Sequence, residues 1–334
     1  MKKLLLLALL AGILFLMPNM NFGQAPPLGT TSSFALFSAN GAFNEQGSAS
    51  TVTGDAGTNV GAFNVFPPGT LIGQKHVADA TSAQAAIDVA ALYSNLFGRT
   101  CGSSHGVGLG SGETLGPNIY CLGAASTLTG NLNLDGGGNS NAIFIFQING
   151  ALATASSSNI TLINSASLCN VFWQVNGEVD LGAGSVFKGN IVANGAINLL
   201  AGATLQGRAL TQAGAVNLYN NTITVGLPPT ASTITAGGPT TFCYGGSVIL
   251  SGNIGGTWSN GATTPSITVT ASGDYFVTNT TLCGSVTSNH IIVTVGPCGT
   301  IPTMSEWGQI IFGVLLLGFG TMYIVRRKQT SLPI

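Results

Sequence analysis

Apolar and polar positions alternate in short segments that repeat along the middle of the chain. Residues 176–181 read NGEVDL, residues 194–199 read NGAINL and residues 213–218 read AGAVNL. These segments start 18 and then 19 residues apart, a period that fits one rung of a stacked β structure. The flanking residues keep the register, because AGSVFKG at 183–189 precedes AGATLQG at 201–207 by 18 residues. We therefore predict a β solenoid with flat, repetitive faces.

One segment has helical periodicity instead. Thr81–Gln84 matches a capping box, and Gly98 suits the C-terminal stop of a helix. Between them, apolar residues recur at helical spacing: Ala85, Val89, Leu92 and Leu96. Further on, Ala142–Ile148 and Val171–Val175 are apolar at nearly every position, which is typical of strands buried on both faces. We predict that the helix covers one side of the β structure.

Both ends of the chain carry apolar runs that predict targeting segments. Lys2 and Lys3 precede the apolar run 4–17, and small residues follow it, as in a signal peptide comprising residues 1–25. An uncleaved N-terminal anchor is the alternative. At the other end, the apolar residues 310–325 are followed by the basic Arg326–Lys328, which predicts a transmembrane helix with its basic end in the cytoplasm.

Charge is scarce and unevenly placed. Only 6% of the 334 residues are charged, and the body between the terminal segments holds nine of the ten acids but only four of the nine bases. An acidic body favours no nucleic-acid partner. The three histidines are scattered and no CxxC or HxxxH spacing occurs, so we expect neither a metal nor a cofactor.

Six cysteines are typical of an oxidising compartment. Cys101 and Cys121 bracket a Gly- and Ser-rich segment, and we predict that they form a disulfide that closes this loop. Cys243 and Cys283 lie in a separate C-terminal region and are predicted to bridge its strands. Cys169 is then expected to be a small buried core residue, and Cys298 has no assigned partner.

The segment before the C-terminal apolar run resembles a known sorting signal. Residues 301–308 read IPTMSEWG, with Ile301, Pro302, Thr303, Trp307 and Gly308 as its defining positions. This string, the helix and the basic tail resemble the IPTL-type C-terminal signal that exosortase-type enzymes process, with Met304 in place of the usual Leu. The resemblance implies that residues 301–330 direct export to the cell surface or medium, with the helix as a transient anchor. A permanent membrane anchor is the alternative.

The region from about Leu28 to Val225 resembles the microbial ice-binding proteins. The strings that carry the resemblance are FALFSANGAFNEQGSASTVTGDAG, ADATSAQAAIDVAALYSNL, NAIFIFQINGALATASSSNITLINSASLCNVFWQV and GRALTQAGAVNLYNNTITV. The resemblance implies a right-handed, three-sided β-helix over residues 26–226, with one α-helix alongside. It also implies a discontinuous stack, in which an early segment joins coils formed by the end of the domain. The implied partner is the surface of an ice crystal, and a monomer is expected.

A flat β face imposes a two-dimensional grid on nearby water, and threonine suits such a face because its side chain is stiff and carries both a methyl and a hydroxyl group. Active members of the family tend to carry a Thr-Ala/Gly-any-Thr/Asn pattern. Residues 154–157, 183–186 and 201–204 match it only in part, as does Thr53-Gly54-Asp55-Ala56. The predicted ice contacts are Thr154, Ser156, Ser157, Ser185 and Thr204. For each of them, a solvated hydroxyl of purely structural value is the alternative.

Pro228 and Pro229 mark a linker, after which the pattern changes. Short strand-like pieces separated by Gly and Asn turns predict an immunoglobulin-like β-sandwich over residues 227–298, with Trp258 in its core. Carbohydrate stacking by Trp258 or Tyr244 is the less favoured alternative to a simple spacer.

Catalysis is not expected. Glu178 and Asp180 face one side of a strand but lack the clustered basic partners that a polysaccharide-cleaving site needs. No catalytic triad, phosphate loop or dinucleotide motif is convincing. Two function classes remain: an exported protein that adsorbs to ice and limits its growth or recrystallisation, and a surface adhesin or structural protein on the same scaffold.

Overall fold

The computed structural model describes residues 24–297 and 304–329. Two compact units divide the chain: the first is Met1–Thr230 with Asn279–Val286, and the second is Ala231–Thr278 with Thr287–Ile334. The described residues do not include residues 1–23 of the predicted signal peptide. They also do not include Cys298 or residues 301–303, the start of the predicted sorting motif.

The first unit is mostly β structure with one α-helix. Its regular elements up to the helix are Phe34–Asn40 (β1), Phe43–Glu45 (β2), Thr51–Thr53 (β3), Asp55–Val60 (β4), Phe63–Asn64 (β5), Thr70–Ile72 (β6), Lys75–Val77 (β7) and Ala80–Phe97 (α1). The strands that follow the helix are Ser103–His105 (β8), Gly108–Gly110 (β9), Thr114–Leu115 (β10), Asn118–Leu122 (β11), Ser126–Thr129 (β12), Asn131–Asp135 (β13), Phe144–Ile148 (β14), Leu152–Thr154 (β15), Asn159–Ile163 (β16), Val171–Val175 (β17), Val179–Leu181 (β18), Val186–Ala193 (β19), Ile197–Leu199 (β20), Thr204–Thr211 (β21), Val216–Leu218 (β22) and Thr222–Thr224 (β23). Short 3₁₀ helices occupy Gly29–Ser32 and Leu168–Asn170.

All described strand pairs among β1 to β23 are parallel, and they form three stacks. The helix-covered face has the order β7-β4-β1-β21-β19-β17-β14-β11-β8. The asparagine face has the order β5-β2-β22-β20-β18-β15-β12-β9. The threonine face has the order β6-β3-β23-β21-β19-β16-β13-β10. Strands β19 and β21 are long enough to serve both the threonine face and the helix-covered face. The predicted solenoid of parallel strands is therefore present.

The stack is discontinuous in sequence. Strands β1, β2 and β3 pair with β21, β22 and β23, so the first rung of the chain lies on its last rung. This matches what the family resemblance implies. Buried Arg208 lies at the junction, where its guanidinium donates to Asn190 Oδ1 at 2.8 Å, to the Gly226 carbonyl at 2.8 Å and to the Ser32 carbonyl. Burial lowers the pKa of Arg208 to about 10.

The interior of the stack is filled by apolar side chains, which point inward at every second position of strands such as β14, β17 and β18. An aromatic row crosses the rungs, with ring centroids 5.3 Å apart for Tyr120–Phe146, 4.0 Å for Phe146–Trp173 and 5.0 Å for Trp173–Phe187. Parallel in-register strands place such residues one above another, which favours offset stacking.

Helix α1 packs on one face, as predicted. Ala85, Val89, Leu92 and Leu96 are buried against outward-facing residues such as Ile145 and Phe172. The predicted cap was two residues too late: Asp79 is the N-cap, its carboxylate accepts from the Ser82 N–H at 2.7 Å, and the Ser82 hydroxyl accepts from the Asp79 N–H. The Ser82 N–H bond is the main reason that the pKa of Asp79 is lowered. Gly98 is the C-cap, as predicted.

Two disulfides lie in the first unit. Cys101 pairs with Cys121, which confirms that prediction. The predicted Cys243–Cys283 pair is wrong, because Cys283 pairs with Cys169, 114 residues earlier in the chain. The expectation that Cys169 is a small buried core residue is also wrong, because Cys169 is half-buried in the 3₁₀ turn before β17 and is bonded to Cys283. Cys243 is also disulfide-bonded.

The second unit contains short strands and the C-terminal helix. The elements after Thr230 are Thr235–Ala236 (β24), Thr241–Cys243 (β25), Val248–Ser251 (β26), Thr257–Trp258 (β27), Ser266–Val269 (β28), Gly273–Tyr275 (β29), Val277–Thr281 (β30), Gly284–Thr287 (β31), Ile291–Gly296 (β32) and Met304–Gln329 (α2). Parts of β30 and β31 fall within Asn279–Val286 and so belong to the first unit. The strands form three small sheets with both antiparallel and parallel pairs. Trp258 is buried in their core, as predicted, and its indole donates to the Thr264 carbonyl at 2.8 Å.

Helix α2 is apolar. Its segment Trp307–Arg326 has a mean hydropathy of 1.9 and is long enough to cross a membrane. The predicted apolar C-terminal helix is therefore present.

Candidate functional site

A cluster of threonines occupies one end of the threonine face, and we call it the threonine array. It comprises outward residues of β6, β3, β23 and β21, which are adjacent in that order. Its members are Thr51, Thr53, Thr70, Thr204, Thr222 and Thr224. Strand registers place four of them, Thr70, Thr51, Thr222 and Thr204, in one column across the strands. Thr53 and Thr224 are neighbours in a second column.

Simple alternation along each strand creates the array. Between the outward threonines, Val52, Leu205 and Ile223 point inward and are buried in the core. Because side chains of a strand alternate between its two faces, a Thr-apolar-Thr sequence places both hydroxyl groups on the same surface. The two columns are then about 6.6 Å apart, and neighbours within a column are about 4.8 Å apart.

The hydroxyl groups of the array are available to solvent. Thr51, Thr70 and Thr222 are exposed, and Thr53, Thr204 and Thr224 are half-buried. Within the described part of the chain, no hydrogen bond involves any of these six hydroxyls. Each carries a methyl group beside the hydroxyl and restricted χ1 freedom, so the array presents an ordered, uncharged surface.

The far part of the same face differs, because its polar side chains bind one another. Asn159 Nδ2 donates to Asn131 Oδ1 and to Thr161 Oγ1, each at 2.9 Å. Thr161 Oγ1 donates to Asn131 Oδ1 at 2.8 Å, and Asn131 Nδ2 donates to Asn133 Oδ1 at 2.6 Å. Many of the donors and acceptors of these side chains are therefore already bonded within the protein.

The asparagine face carries a ladder of side chains that is similarly self-satisfied. Asn44 Nδ2 donates to Asn217 Oδ1 at 2.8 Å, and Asn217 Nδ2 donates to Asn198 Oδ1 at 2.7 Å. Asn198 Nδ2 donates in turn to the carboxylates of Asp180 and Glu178. The two acids thus face the same side, as predicted, and they accept from an amide instead of flanking a reaction site.

The structure buries two of the five predicted ice contacts and leaves the others at the surface. Thr154 is only 7% exposed and its Oγ1 accepts from the Gly182 N–H at 2.8 Å, so it holds the next turn in place and cannot contact ice. Ser185 is 1% exposed, because the turn before β19 folds its side chain inward. Both assignments are corrected. Ser156 and Ser157 lie exposed in the turn after β15, apart from the array, and stay predictions.

Thr204 alone of the predicted contacts belongs to the array. Sequence reasoning noted Thr53 as a partial match but missed Thr51, Thr70, Thr222 and Thr224. The signal was present as Thr-apolar-Thr at 51–53 and 222–224. Only the discontinuous stacking places these segments side by side.

Comparisons with known proteins all find similarity to ice-binding proteins. The sequence profile described as Ice-binding-like matches residues 37–224. An ice-binding protein of Nostoc sp. (strain HG1) is 37% identical over 199 residues, covering 59% of this chain and 72% of the relative. An ice-binding protein of Flavobacterium frigoris (strain PS1) is 33% identical over 213 residues, covering 59% of this chain and 75% of the relative.

Solved structures show the same similarity. The crystal structure of an ice-binding protein from the Antarctic ascomycete Antarctomyces psychrotrophicus superposes with a TM-score of 0.58 at 35% identity, covering 60% of this chain and 98% of that one. That of an ice-binding protein from an Antarctic Flavobacteriaceae bacterium gives a TM-score of 0.58 at 36% identity, covering 66% and 54% of the two chains.

Proposed function

The chain belongs to the Ice-binding-like family, and from this premise we propose that it adsorbs to ice through the threonine array and limits ice growth or recrystallisation. Six uncommitted hydroxyls on four adjacent strands are the observation that carries the proposal. The polar side chains of the asparagine face are occupied by one another and offer a weaker template for water.

Adsorption follows from the spacing and chemistry of the array. A stiff grid of methyl and hydroxyl groups holds water in few orientations, so little entropy is lost when that water joins a crystal. No Asp, Glu, Lys or Arg occupies an outward position of the array, and charged groups would bind water in competing geometries. Ice that grows between adsorbed molecules must curve, and curvature makes further growth less favourable.

The proposal is tested by blocking the array and, separately, the asparagine face. Thr222→Tyr places a bulky ring in the centre of the array, and Thr127→Tyr places the same ring at an exposed strand position of the asparagine face. Ice recrystallisation inhibition and thermal hysteresis are measured on the intact chain in detergent micelles, against micelles alone. We expect Thr222→Tyr to raise the inhibitory concentration about tenfold or more and Thr127→Tyr to leave it unchanged.

The opposite pattern would place the ice site on the asparagine face and overturn the assignment to the array. If the unsubstituted chain shows neither ice shaping nor inhibition, the adhesin or structural role is favoured instead. The exposed turn residues Ser156 and Ser157 can be tested in the same assays by substitution with Tyr.

We also propose that the protein is exported and handled at the membrane. The apolar helix α2 supports this, as do the signal-peptide pattern of residues 1–25 and the IPTMSEWG segment. In a host with an exosortase-type enzyme, mass spectrometry of the product should show a C-terminus upstream of Trp307. Pro302→Ala should leave the full chain in the membrane, whereas Pro297→Ala, outside the motif, should not. Full-length product in every case would favour a permanent anchor.

Two finer structural assignments complete the proposal. We infer right-handed winding of the rungs over 26–226 from the family resemblance, and an immunoglobulin-like arrangement over 227–298 from the antiparallel pairs around Trp258. A crystal structure of the intact chain would test both.

A further inference from the structure

The threonine array combines two segments that are far apart in the sequence. Strands β3 and β6, near the start of the first unit, supply three of its threonines, and β21 and β23, near the end of the stack, supply the other three. Of the two disulfides between described cysteines, neither joins the early strands to the late ones. The array is therefore complete only where β1 and β3 pair with β21 and β23.

The repeated rungs do not by themselves select that pairing. Residues 183–190 read AGSVFKGN and residues 201–208 read AGATLQGR, and the two segments are aligned residue by residue where β19 pairs with β21. Similar rungs offer similar edges, with the same backbone donors and acceptors. A slip of β3 by one residue would turn Thr51 and Thr53 toward the core. Correct assembly of the array thus requires a feature that distinguishes the last rung.

Arg208 is the residue that distinguishes this rung. Strand registers align Phe172 of β17, Asn190 of β19 and Arg208 of β21 in one column. Only Arg208 among the three carries a charge, and it is fully buried. It directly precedes Ala209, which pairs with Leu36 of β1. The charge therefore lies at the edge that receives the early segment.

The guanidinium of Arg208 binds three acceptors from three different parts of the stack. One nitrogen donates to Asn190 Oδ1 at 2.8 Å, which connects it to the rung below. The other donates to the Gly226 carbonyl at 2.8 Å, just after β23, and to the Ser32 carbonyl, just before β1. A single group thus holds the end of the last rung and the beginning of the early segment together.

These bonds are better suited to fixing register than to adding stability. In the part of the chain that the structure describes, no carboxylate forms an ion pair with Arg208, and its Nε has no hydrogen-bond partner. A buried charge without a counter-charge is a weak source of stability, and the best-attested use of such groups is to specify one register over others. Only the observed pairing brings the Ser32 and Gly226 carbonyls to the same guanidinium.

We propose that Arg208 is a positioning residue for the ice site, because it selects the last rung as the partner of β1 and so places β3 and β6 beside β23. The inference rests on the proposed function of the threonine array. A planar guanidinium donates to several acceptors at fixed angles, which the flexible ammonium group of lysine does less well. Substitution by Lys should therefore retain only part of this role.

The test compares Arg208→Met and Arg208→Lys by hydrogen exchange with mass spectrometry and by ice recrystallisation inhibition, on the intact chain in detergent micelles. We expect Arg208→Met to speed exchange about tenfold or more in β1, β3 and β4, and to leave β14 and β17 unchanged. The inhibitory concentration should rise about tenfold or more. Arg208→Lys should lie between Arg208→Met and the unsubstituted chain in both measurements. If Arg208→Met yields no folded protein, the same comparison is made with Arg208→Lys alone.

Arg99→Met is the matched control. Arg99 also donates to a backbone carbonyl of the early chain, that of Gln24 at 2.8 Å, but it lies at the end of helix α1 and not at the junction. This variant should change neither the exchange of β1 and β3 nor the inhibition of recrystallisation.

Faster exchange throughout the stack in Arg208→Met, or no change in β1 and β3, would overturn the proposal. Release of β1 and β3 with unchanged inhibition would also overturn it, because the ice site would then not depend on Arg208. Release of these strands in a chain that shows no ice activity even without substitution would refute the proposed ice site, while supporting selection of the last rung by Arg208.

Discussion

The threonine array and the asparagine ladder are both repetitive, uncharged rows on neighbouring faces of one stack, yet they have opposite roles. In the ladder, each amide donates to the next, from Asn44 to Asn217 to Asn198. In the array, no hydroxyl has such a partner among the described residues. A polar row whose members satisfy one another stabilises the fold, and a row whose members do not remains available for a ligand.

The difference follows from side-chain length. An asparagine amide has a donor and an acceptor far enough from the backbone to reach across the roughly 4.8 Å between strands. A threonine hydroxyl is shorter and its χ1 is stiff, so it cannot easily bridge the same gap. Water of suitable spacing can do so, which links this surface to ice.

The largest expected effect is on activity and comes from placing a charge in the array. Thr51→Lys puts an ammonium group between Thr70 and Thr222, and its hydration competes with ordered water. We expect near-complete loss of recrystallisation inhibition, with the free energy of unfolding changed by about 0.5 kcal/mol or less, because the site is exposed. Thr127→Lys on the asparagine face is the control. Equal loss in both variants would contradict a face-specific site.

A smaller effect, on stability alone, is expected from breaking the ladder. Asn217→Ala leaves the Asn44 donor and the Asn198 acceptor without their partner. Denaturant unfolding should show a loss of about 1 kcal/mol, with unchanged ice activity. Asn194→Ala, at an exposed turn position, should cost less. Loss of ice activity in Asn217→Ala with stability retained would mean that the ladder, too, contacts ice.

Extending the array should increase activity modestly. Val186 and Lys188 face outward beside Thr204 and Gln206 on the next strand. The double substitution Val186→Thr, Lys188→Thr adds one strand to the array and removes a charge. We expect a lower inhibitory concentration, whereas Ala153→Thr on the asparagine face should have no effect. No gain from the double variant would indicate that the existing four strands already suffice.

The smallest effect concerns acid pH, which should separate stability from ice binding. The array has no titratable group, but the pKa of Asp79 at the helix N-cap is lowered, chiefly by the Ser82 N–H. A lowered folded-state pKa contributes stability above the unfolded value of 3.8 that is lost as pH falls below it. Thermal unfolding should show a slight loss in this window that Asp79→Asn diminishes, while ice shaping by folded protein stays constant. A fall in ice activity before unfolding would contradict this prediction.

Local patterns predicted much of the fold. The 18- and 19-residue spacings correspond to in-register pairs such as Val186–Thr204 and Ile197–Val216. Helix α1 and its buried residues followed from apolar spacing, and Cys101–Cys121 followed from a short loop. These features depend on residues close in sequence, so the chemistry of one segment suffices to specify them.

The site was harder to predict because a hydroxyl has the same sequence signature whether it faces solvent or binds a turn. Thr154 fitted the expected pattern best, yet it accepts from the Gly182 N–H. Burial decided its role, and burial depends on the path of the following turn.

By itself, the sequence determined the repeat, the inward and outward alternation, the helix and the scarcity of charge, because each is a property of a residue and its near neighbours. Only the tertiary structure decided that β3 lies on β23 and that Cys169 meets Cys283. Any exposed strand edge offers the same backbone donors and acceptors, so the choice of partner rests on packing of the whole stack. That choice places Thr51 beside Thr222 and so creates the surface on which the proposed function depends.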